Sequence, residues 1–200
     1  MNLDDIYNPI QRYLTQIEGD LNQFEDLLKT VSSSDSTHFK LNKGKKIRAA
    51  LLLFSCGQTY DMSNAIQSAT AIEMLHFASL VHDDILDQEK ERRGEEPVYQ
   101  QLSLKKALLL GDYIMAQSLL GLPAGIYNEA SQMLMAVVSE MCVGEFIQLK
   151  MKETNMTLAD FKQAYLDVNF KKTALLFGKA CAIGSLLNPA LSEHHVDCFQ

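Results

Sequence analysis

The sequence predicts an all-α domain. Apolar residues recur at i, i+3, i+4 and i+7 along nearly the whole chain, the period of helices that each bury one face. Turn formers are scarce: 10 Gly and 4 Pro in 200 residues fall below the roughly 12% that the two supply on average. Nine Met and no Trp favour long core helices over many short strands. A hydrophobic content of 47% with 22% charged residues is enough to build a core and excludes a disordered or fibrous chain. At roughly 100–200 residues per domain, the length fits one domain.

The apolar spacing places helices over 3–17, 20–31, 45–59, 63–88, 100–121, 127–152 and 158–187, with a last one starting near Ser192. Ser63 precedes an apolar periodic run and can cap its first turn. Thr157 with Asp160 three residues on resembles a capping box. Residues 32–37, SSSDST, read as an exposed loop, and 88–97, QEKERRGEEP, as a charged loop between two apolar helices. No repeat or linker divides the chain.

Charge and cysteines bound the function. With 25 acids against 18 bases the net charge is −7, which argues against nucleic acid as a partner. Cys56, Cys142, Cys181 and Cys198 lie far apart with no metal-ligand spacing, so they read as buried free thiols of a reducing cytosol. The start, MNLDDIYNPI, has acids where a signal peptide needs bases. The most apolar stretches, near 107–122 and 173–187, carry Asp112 and Lys179, and neither gives the roughly 18 uncharged apolar residues of a membrane span. The expectation is a soluble, cytoplasmic protein without a transmembrane segment.

The sharpest feature is His82-Asp83-Asp84-Ile85-Leu86-Asp87, at the end of a long apolar helix. Spacings of three and four crowd the carboxylates on one side, near a helix C-terminus where the dipole already disfavours anions. A cation relieves both penalties, and oxygen-only ligands select a hard one such as Mg²⁺. Arg92-Arg93-Gly94 follows on a loop able to fold back, with guanidinium forks suited to a diphosphate. Lys45 and Arg48 project from the first turn of a predicted helix, a natural phosphate site. Lys171-Lys172-Thr173 adds a third basic element. Taken singly, the acidic cluster and the basic elements read more readily as solvated charged surface; together they are more telling, because each basic element can face the same acids. Taking about 100° per residue, Ser79, His76 and Ile72 lie within about 40° of Asp83 on the helix, forming a strip about 16 Å long. Such a strip suits an elongated apolar ligand with an anionic head, or else close packing of another helix.

GKKIR at 44–48, EMLHFASLVHDDILD at 73–87, RRG at 92–94, LLGDYI at 109–114, GEFIQL at 144–149 and KKTALL at 171–176 resemble, in order and spacing, the signatures of the trans-isoprenyl (polyprenyl) diphosphate synthases. The N-terminal third looks most like bacterial medium- and long-chain members such as heptaprenyl diphosphate synthase. The resemblance implies the isoprenoid synthase fold, antiparallel helices around a deep apolar cavity, usually as a homodimer. It implies Mg²⁺-dependent condensation of isopentenyl diphosphate with an allylic diphosphate. Carried over, Asp83 and Asp87 coordinate Mg²⁺ with Asp84 beside them. Arg92 binds the allylic diphosphate, supported by Lys172 and Thr173. Lys45, Arg48, His76 and Arg93 hold isopentenyl diphosphate, and Gln148 faces the cavity. Large residues four and five positions before the first Asp stop the product short in this family. Here those positions are Ser79 and Ala78, so the expected product is longer than C15, with the stop set deeper, at Ile72 or on a facing helix.

Two departures stand out. Ala49 replaces the Pro usual after the first basic motif, with little effect expected. The family's second aspartate-rich motif, which faces the first across the cavity, has no counterpart: after Glu145 no two acids are adjacent. Residues 1–200 therefore read as the N-terminal two-thirds of one synthase domain. Three explanations stay open: a truncated form of a longer synthase; a short chain completed by a second polypeptide; or a non-catalytic subunit that binds isoprenoid diphosphates or regulates a synthase. A terpene cyclase fits less well, since it shares D-D-x-x-D but not the clamp at Lys45, Arg48 and His76.

Overall fold

A computed structural model describes residues 2–34, 36–57, 62–92, 94–188 and 190. These contain helices and no strand, with a single isolated bridge pairing Arg92 and Glu95. The helix expected near Ser192, Arg93 and Cys198 lie outside the described residues.

The chain opens with α1 (Leu3–Tyr7), a 3₁₀ turn (Asn8–Ile10) and α2 (Gln11–Ser32). Helix is expected through residue 17, but Pro9 in the 3₁₀ turn resets the chain. Gly19 does not break α2, because Leu14, Ile17, Leu21 and Leu28 form one continuous buried stripe across it. Next come α3 (Ile47–Cys56) and α4 (Ser63–Leu86). Ser63 is the first residue of α4 and not its cap: that position is Met62, which makes no side-chain cap bond.

The helix predicted over 100–121 is two: α5 (Val98–Gln101) and α6 (Leu104–Leu120). Ser103 separates them and caps α6 by accepting the Lys106 N–H at 3.3 Å. Then α7 (Tyr127–Glu153) leads to α8 (Leu158–Asn169), whose Thr157 cap accepts the Asp160 N–H at 3.2 Å as the sequence suggests. The helix predicted over 158–187 is interrupted by a π turn (Phe170–Ala174), with the Leu175 N–H bonded five residues back to Phe170, before α9 (Leu175–Leu186).

Helix α4 is the axis of the bundle. Its buried residues run all round it, from Ala65 through Ile72 and Leu75 to Val81, as expected of a helix enclosed by others. It packs on α2, α3, α6 and α9, and α3 lies against α9. Gly184 sets that last contact: a Cβ there would collide with the Leu52 carbonyl oxygen and lie 2.9 Å from the Ser55 Cβ. At the other edge, α7 buries Ala130, Leu134, Val137 and Gly144, and α8 buries no residue. Leu158, Phe161, Tyr165, Leu166 and Phe170 are exposed there. Among the described residues one helical stretch, Ala124–Glu153, is long and apolar enough to cross a membrane by length and composition, which the search for apolar stretches at 107–122 and 173–187 missed. It carries Glu140 and Glu145, both paired with lysines of the π turn. Cys56 is buried as expected, whereas Cys142 is exposed and Cys181 half-buried, all three as free thiols.

Candidate functional site

The C-terminal end of α4 carries the acids, and adjacent helical positions send them to different neighbours. Asp83 faces α7 and the π turn, where the Lys172 ammonium lies 3.4 Å away. Asp84 is buried and paired with Arg92. Asp87, at the helix cap, takes Lys152 Nζ from the end of α7 at 2.9 Å. Successive helical residues point about 100° apart, so Asp83 and Asp87 share one side and Asp84 lies on another.

Lys172 is the centre of the first group. It pairs with Glu145 and lies 3.3 Å from the Gln148 side-chain oxygen. Gly144 lets the π turn come this close, since a Cβ there would lie 3.0 Å from Lys172 Cγ and 3.1 Å from Lys171 Cβ. Burial pushes the Asp83 carboxyl above its ordinary range; Lys172 opposes this, and Glu145 and Asp87 add to it. Burial also disfavours charge on Lys172, but its contacts with Glu145 and Asp83 outweigh that and raise it. Burial likewise raises Asp84 against the opposing pull of Arg92. Thr173, next to Lys172, is exposed.

Below Asp83 runs an apolar cavity of about 100 Å³. Ala78 and Ser79 line it together with Leu75, Met115, Val138 and Met141. Ser79 turns its hydroxyl back to the His76 carbonyl at 2.7 Å, leaving an uncharged wall. Ile72 is fully buried in the core and does not line the cavity; Leu75 stands nearer.

The second basic element forms a separate cleft of about 400 Å³, lined by Lys43, Lys45, Lys46, Arg48, Glu73 and His76. Lys45, Arg48 and His76 therefore meet in space. The Tyr7 hydroxyl donates to the Lys45 carbonyl at 2.7 Å, and the Arg48 guanidinium carbon stacks 4.2 Å from the centre of the Phe177 ring. Arg48 Nε is buried without a hydrogen-bond partner.

Glu73, Glu145 and Lys152 line or contact the candidate site, and the sequence reading passed over their roles there. Glu145 lay within a motif already noted, and its place one helical turn before Gln148 was the available signal. Lys152 gave none, since 65 residues separate it from Asp87.

Among the described residues no three metal-ligating side chains are already gathered. The donor set nonetheless fits Mg²⁺: Asp83 and Asp87 offer hard oxygens on one side, and Glu145 Oε1 beside them is buried without a hydrogen-bond partner. Mg²⁺ usually takes one or two carboxylates, with waters and substrate phosphates completing its shell.

The loop that carries Arg92 is tied to the basic cleft. Glu95 pairs with Lys40 and, at 2.7 Å, with Lys43. Hydrogen bonds from these lysines lower the Glu95 pKa from an ordinary 4.5 to about 2. A depressed carboxylate stabilises the fold above its unfolded value and loses that contribution as pH falls through the folded one. Glu95→Gln should therefore flatten the stability curve between pH 4.5 and about 2 and leave it unchanged near neutrality in shape. Urea midpoints measured across that range check this, and raised salt should shrink the difference.

A family model described as polyprenyl synthetase matches residues 31–200. Heptaprenyl diphosphate synthase component 2 of Geobacillus stearothermophilus is 31% identical over 188 residues, covering 93% of this chain and 58% of that protein. A prenyl transferase of Porphyra purpurea is 30% identical over 200 residues, covering 97% of the chain and 60% of that protein. Among solved structures, geranylgeranyl pyrophosphate synthetase from Geoglobus acetivorans superposes with a TM-score of 0.79 at 26% identity, over 95% of this chain and 63% of that one. Decaprenyl diphosphate synthase from Rhodobacter capsulatus, at 23% identity and a TM-score of 0.77, shares the fold. The chain thus spans less than two thirds of the relatives it matches. With the pattern covering most of its length and the isoprenoid synthase fold in place, the chain belongs to the polyprenyl synthetase family.

Proposed function

We propose that this chain takes part in trans-prenyl transfer, joining isopentenyl diphosphate to an allylic diphosphate in a Mg²⁺-dependent reaction whose product is longer than C15. The observation that carries this reading is that α4 presents Asp83, beside Lys172, at an apolar cavity, and His76, two turns earlier, in a separate cleft with Lys45 and Arg48.

Asp83 and Asp87 would hold the metal, with Glu145 close by, and Mg²⁺ bound there supplies charge stabilisation for the departing diphosphate. Lys172 and Arg92 add cationic donors on either side of the acids, where the leaving group gathers negative charge. Lys45, Arg48 and His76 hold the second substrate in reach, which replaces a bimolecular encounter by a positioned one. Leu75, Ala78, Met115 and Val138 keep water from the developing allylic cation. Ala78 and Ser79 leave room for a growing chain.

A second reading is a subunit that binds the diphosphates and works only with another polypeptide. It is favoured by relatives named as component 2 of heptaprenyl diphosphate synthase, and by a helix α8 that buries nothing. A homodimer is compatible with either reading.

The test is a condensation assay with radiolabelled isopentenyl diphosphate, allylic primers and Mg²⁺, on the chain alone and with added cell extract. Turnover by the chain alone supports catalysis by these residues; turnover only with extract supports the subunit reading. No incorporation in either arm rejects the proposal. Ser79→Phe, which fills the cavity wall beside Met115 and Met141, should shorten the product in whichever arm is active. Unchanged product length would remove Ser79 from the length-setting role.

A further inference from the structure

We propose that Glu73 is a positioning residue that holds the first turn of α3, and with it Lys45 and Arg48, at a fixed place against His76 on α4. The inference rests on the reading of that cleft as a diphosphate clamp.

Helix α3 begins without a cap of its own. Its N-cap residue is Lys46, in the left-handed region at φ 49°, and the Lys46 side chain makes no cap bond. Lysine carries three donors and no acceptor, so it cannot take up the amide hydrogens that a Ser, Asp or Asn would. Glu73 does this from the neighbouring helix: its Oε1 accepts the Ala49 N–H, the third of the helix, at 3.1 Å. The carboxylate is 9% exposed, and a buried carboxylate is costly unless paired and hydrogen-bonded. Here burial raises its pKa, while the Ala49 N–H, Lys46 and Arg48 pull it back down. A carboxylate inside a cationic cleft weakens anion binding by its charge, so its presence there points to a need for its geometry.

That geometry spans the clamp. Glu73 lies one turn before His76 on α4, so the two share a face. Through Ala49 it joins this face to the turn that carries Arg48. Tyr7 ties the same segment from α1 through the Lys45 carbonyl. Lys45 and Arg48 thus come from one helix start and His76 from another helix, and Glu73 forms a hydrogen-bonded link between the two.

The two roles separate in conservative variants. Glu73→Asp keeps the charge but is one methylene too short to reach Ala49. Glu73→Gln keeps the reach and an acceptor oxygen but loses the charge. Inorganic pyrophosphate, titrated calorimetrically into the whole chain in metal-free buffer, is the probe, with circular dichroism recording helix content. Positioning predicts that Glu73→Asp weakens binding roughly tenfold, the worth of a hydrogen bond to a charged group, while Glu73→Gln stays within about twofold of the parent, well inside that worth. A role in charge balance alone predicts the reverse: Asp unchanged and Gln tighter. That order, or equal binding by all three, overturns the proposal. Lys45→Met and Arg48→Met provide the separate check on the clamp. If the parent binds no pyrophosphate, or if these two variants bind as the parent does, the clamp reading fails and takes the Glu73 role with it. Loss in Lys45→Met and Arg48→Met without the Asp and Gln ordering overturns the Glu73 role alone.

Discussion

Asp83→Asn should cut the condensation rate by about 10²–10³-fold, the loss typical when one preorganised charge-stabilising group is removed. Asp83 stands at the mouth of the apolar cavity, 3.4 Å from Lys172 and on the same side as Asp87. Asparagine keeps its size but offers a hard cation only one neutral carbonyl oxygen. Lys172→Met should lower the rate by a similar factor, because in the proposed reaction it removes a cation beside Asp83. The two effects should not multiply. Each residue pairs with the other, so the double variant should lose much less than the product of the single losses. Rates of the four proteins under saturating substrates, in whichever arm of the condensation assay is active, complete the cycle. Magnesium affinity, followed by calorimetry in the presence of pyrophosphate, should fall for Asp83→Asn and not for Lys172→Met. Equal magnesium affinity in Asp83→Asn and the parent would place the ion elsewhere.

Gly184→Ala should destabilise the fold by about 2–3 kcal/mol, the upper part of the usual range for overpacking a core. Alanine is normally the better helix residue by about 1 kcal/mol, so the sign depends on space alone. At Gly184 the added methyl meets the Leu52 carbonyl and the Ser55 Cβ of α3. Backbone cannot swing aside as a side-chain tip does, and α3 and α9 must part to admit the methyl. In a protein of this size each kcal/mol moves the melting temperature by roughly 2–4 °C, so a drop of about 5–10 °C is expected in a thermal melt. Gly19→Ala is the matched control: nothing lies within 4 Å of a Cβ there, and the same substitution should stabilise α2 by about 0.5–1 kcal/mol. A melting temperature unchanged by Gly184→Ala would mean that α3 and α9 are less tightly apposed.

Local pattern carried much of the fold. The spacing predicts helix over 127–152, and α7 runs Tyr127–Glu153; Thr157 caps α8 as its sequence suggests. The pattern failed where tertiary contacts overrule local signals. Gly19 looks like a break but sits on an unbroken buried stripe, and Ser103 looks unremarkable until its hydroxyl caps α6. Within the site, the meeting of Lys45, Arg48 and His76 needed only motif order. The partners of the three aspartates did not follow so simply. Arg92 on Asp84 and Lys172 by Asp83 agree with charge, but Lys152 on Asp87 and Glu145 on Lys172 come from helical phases that no single segment displays. Glu73 was the hardest to read. It lies among apolar residues of α4 and gains a role only because α3, 24 residues upstream at Ala49, begins on a lysine.

The widened turn at Phe170–Ala174 holds one more residue than an ordinary helix of the same span would. Removing that surplus would let α8 and α9 join as one regular rod. The two rods would then be rotated against each other by about 100°. Either α9 would keep its seat on α3 and Lys172 would swing away from Asp83, or the lysine would stay and Gly184 would lose its fit. The seat of Lys172 beside Asp83 and the fit of Gly184 on α3 therefore both hang on this irregularity in the backbone.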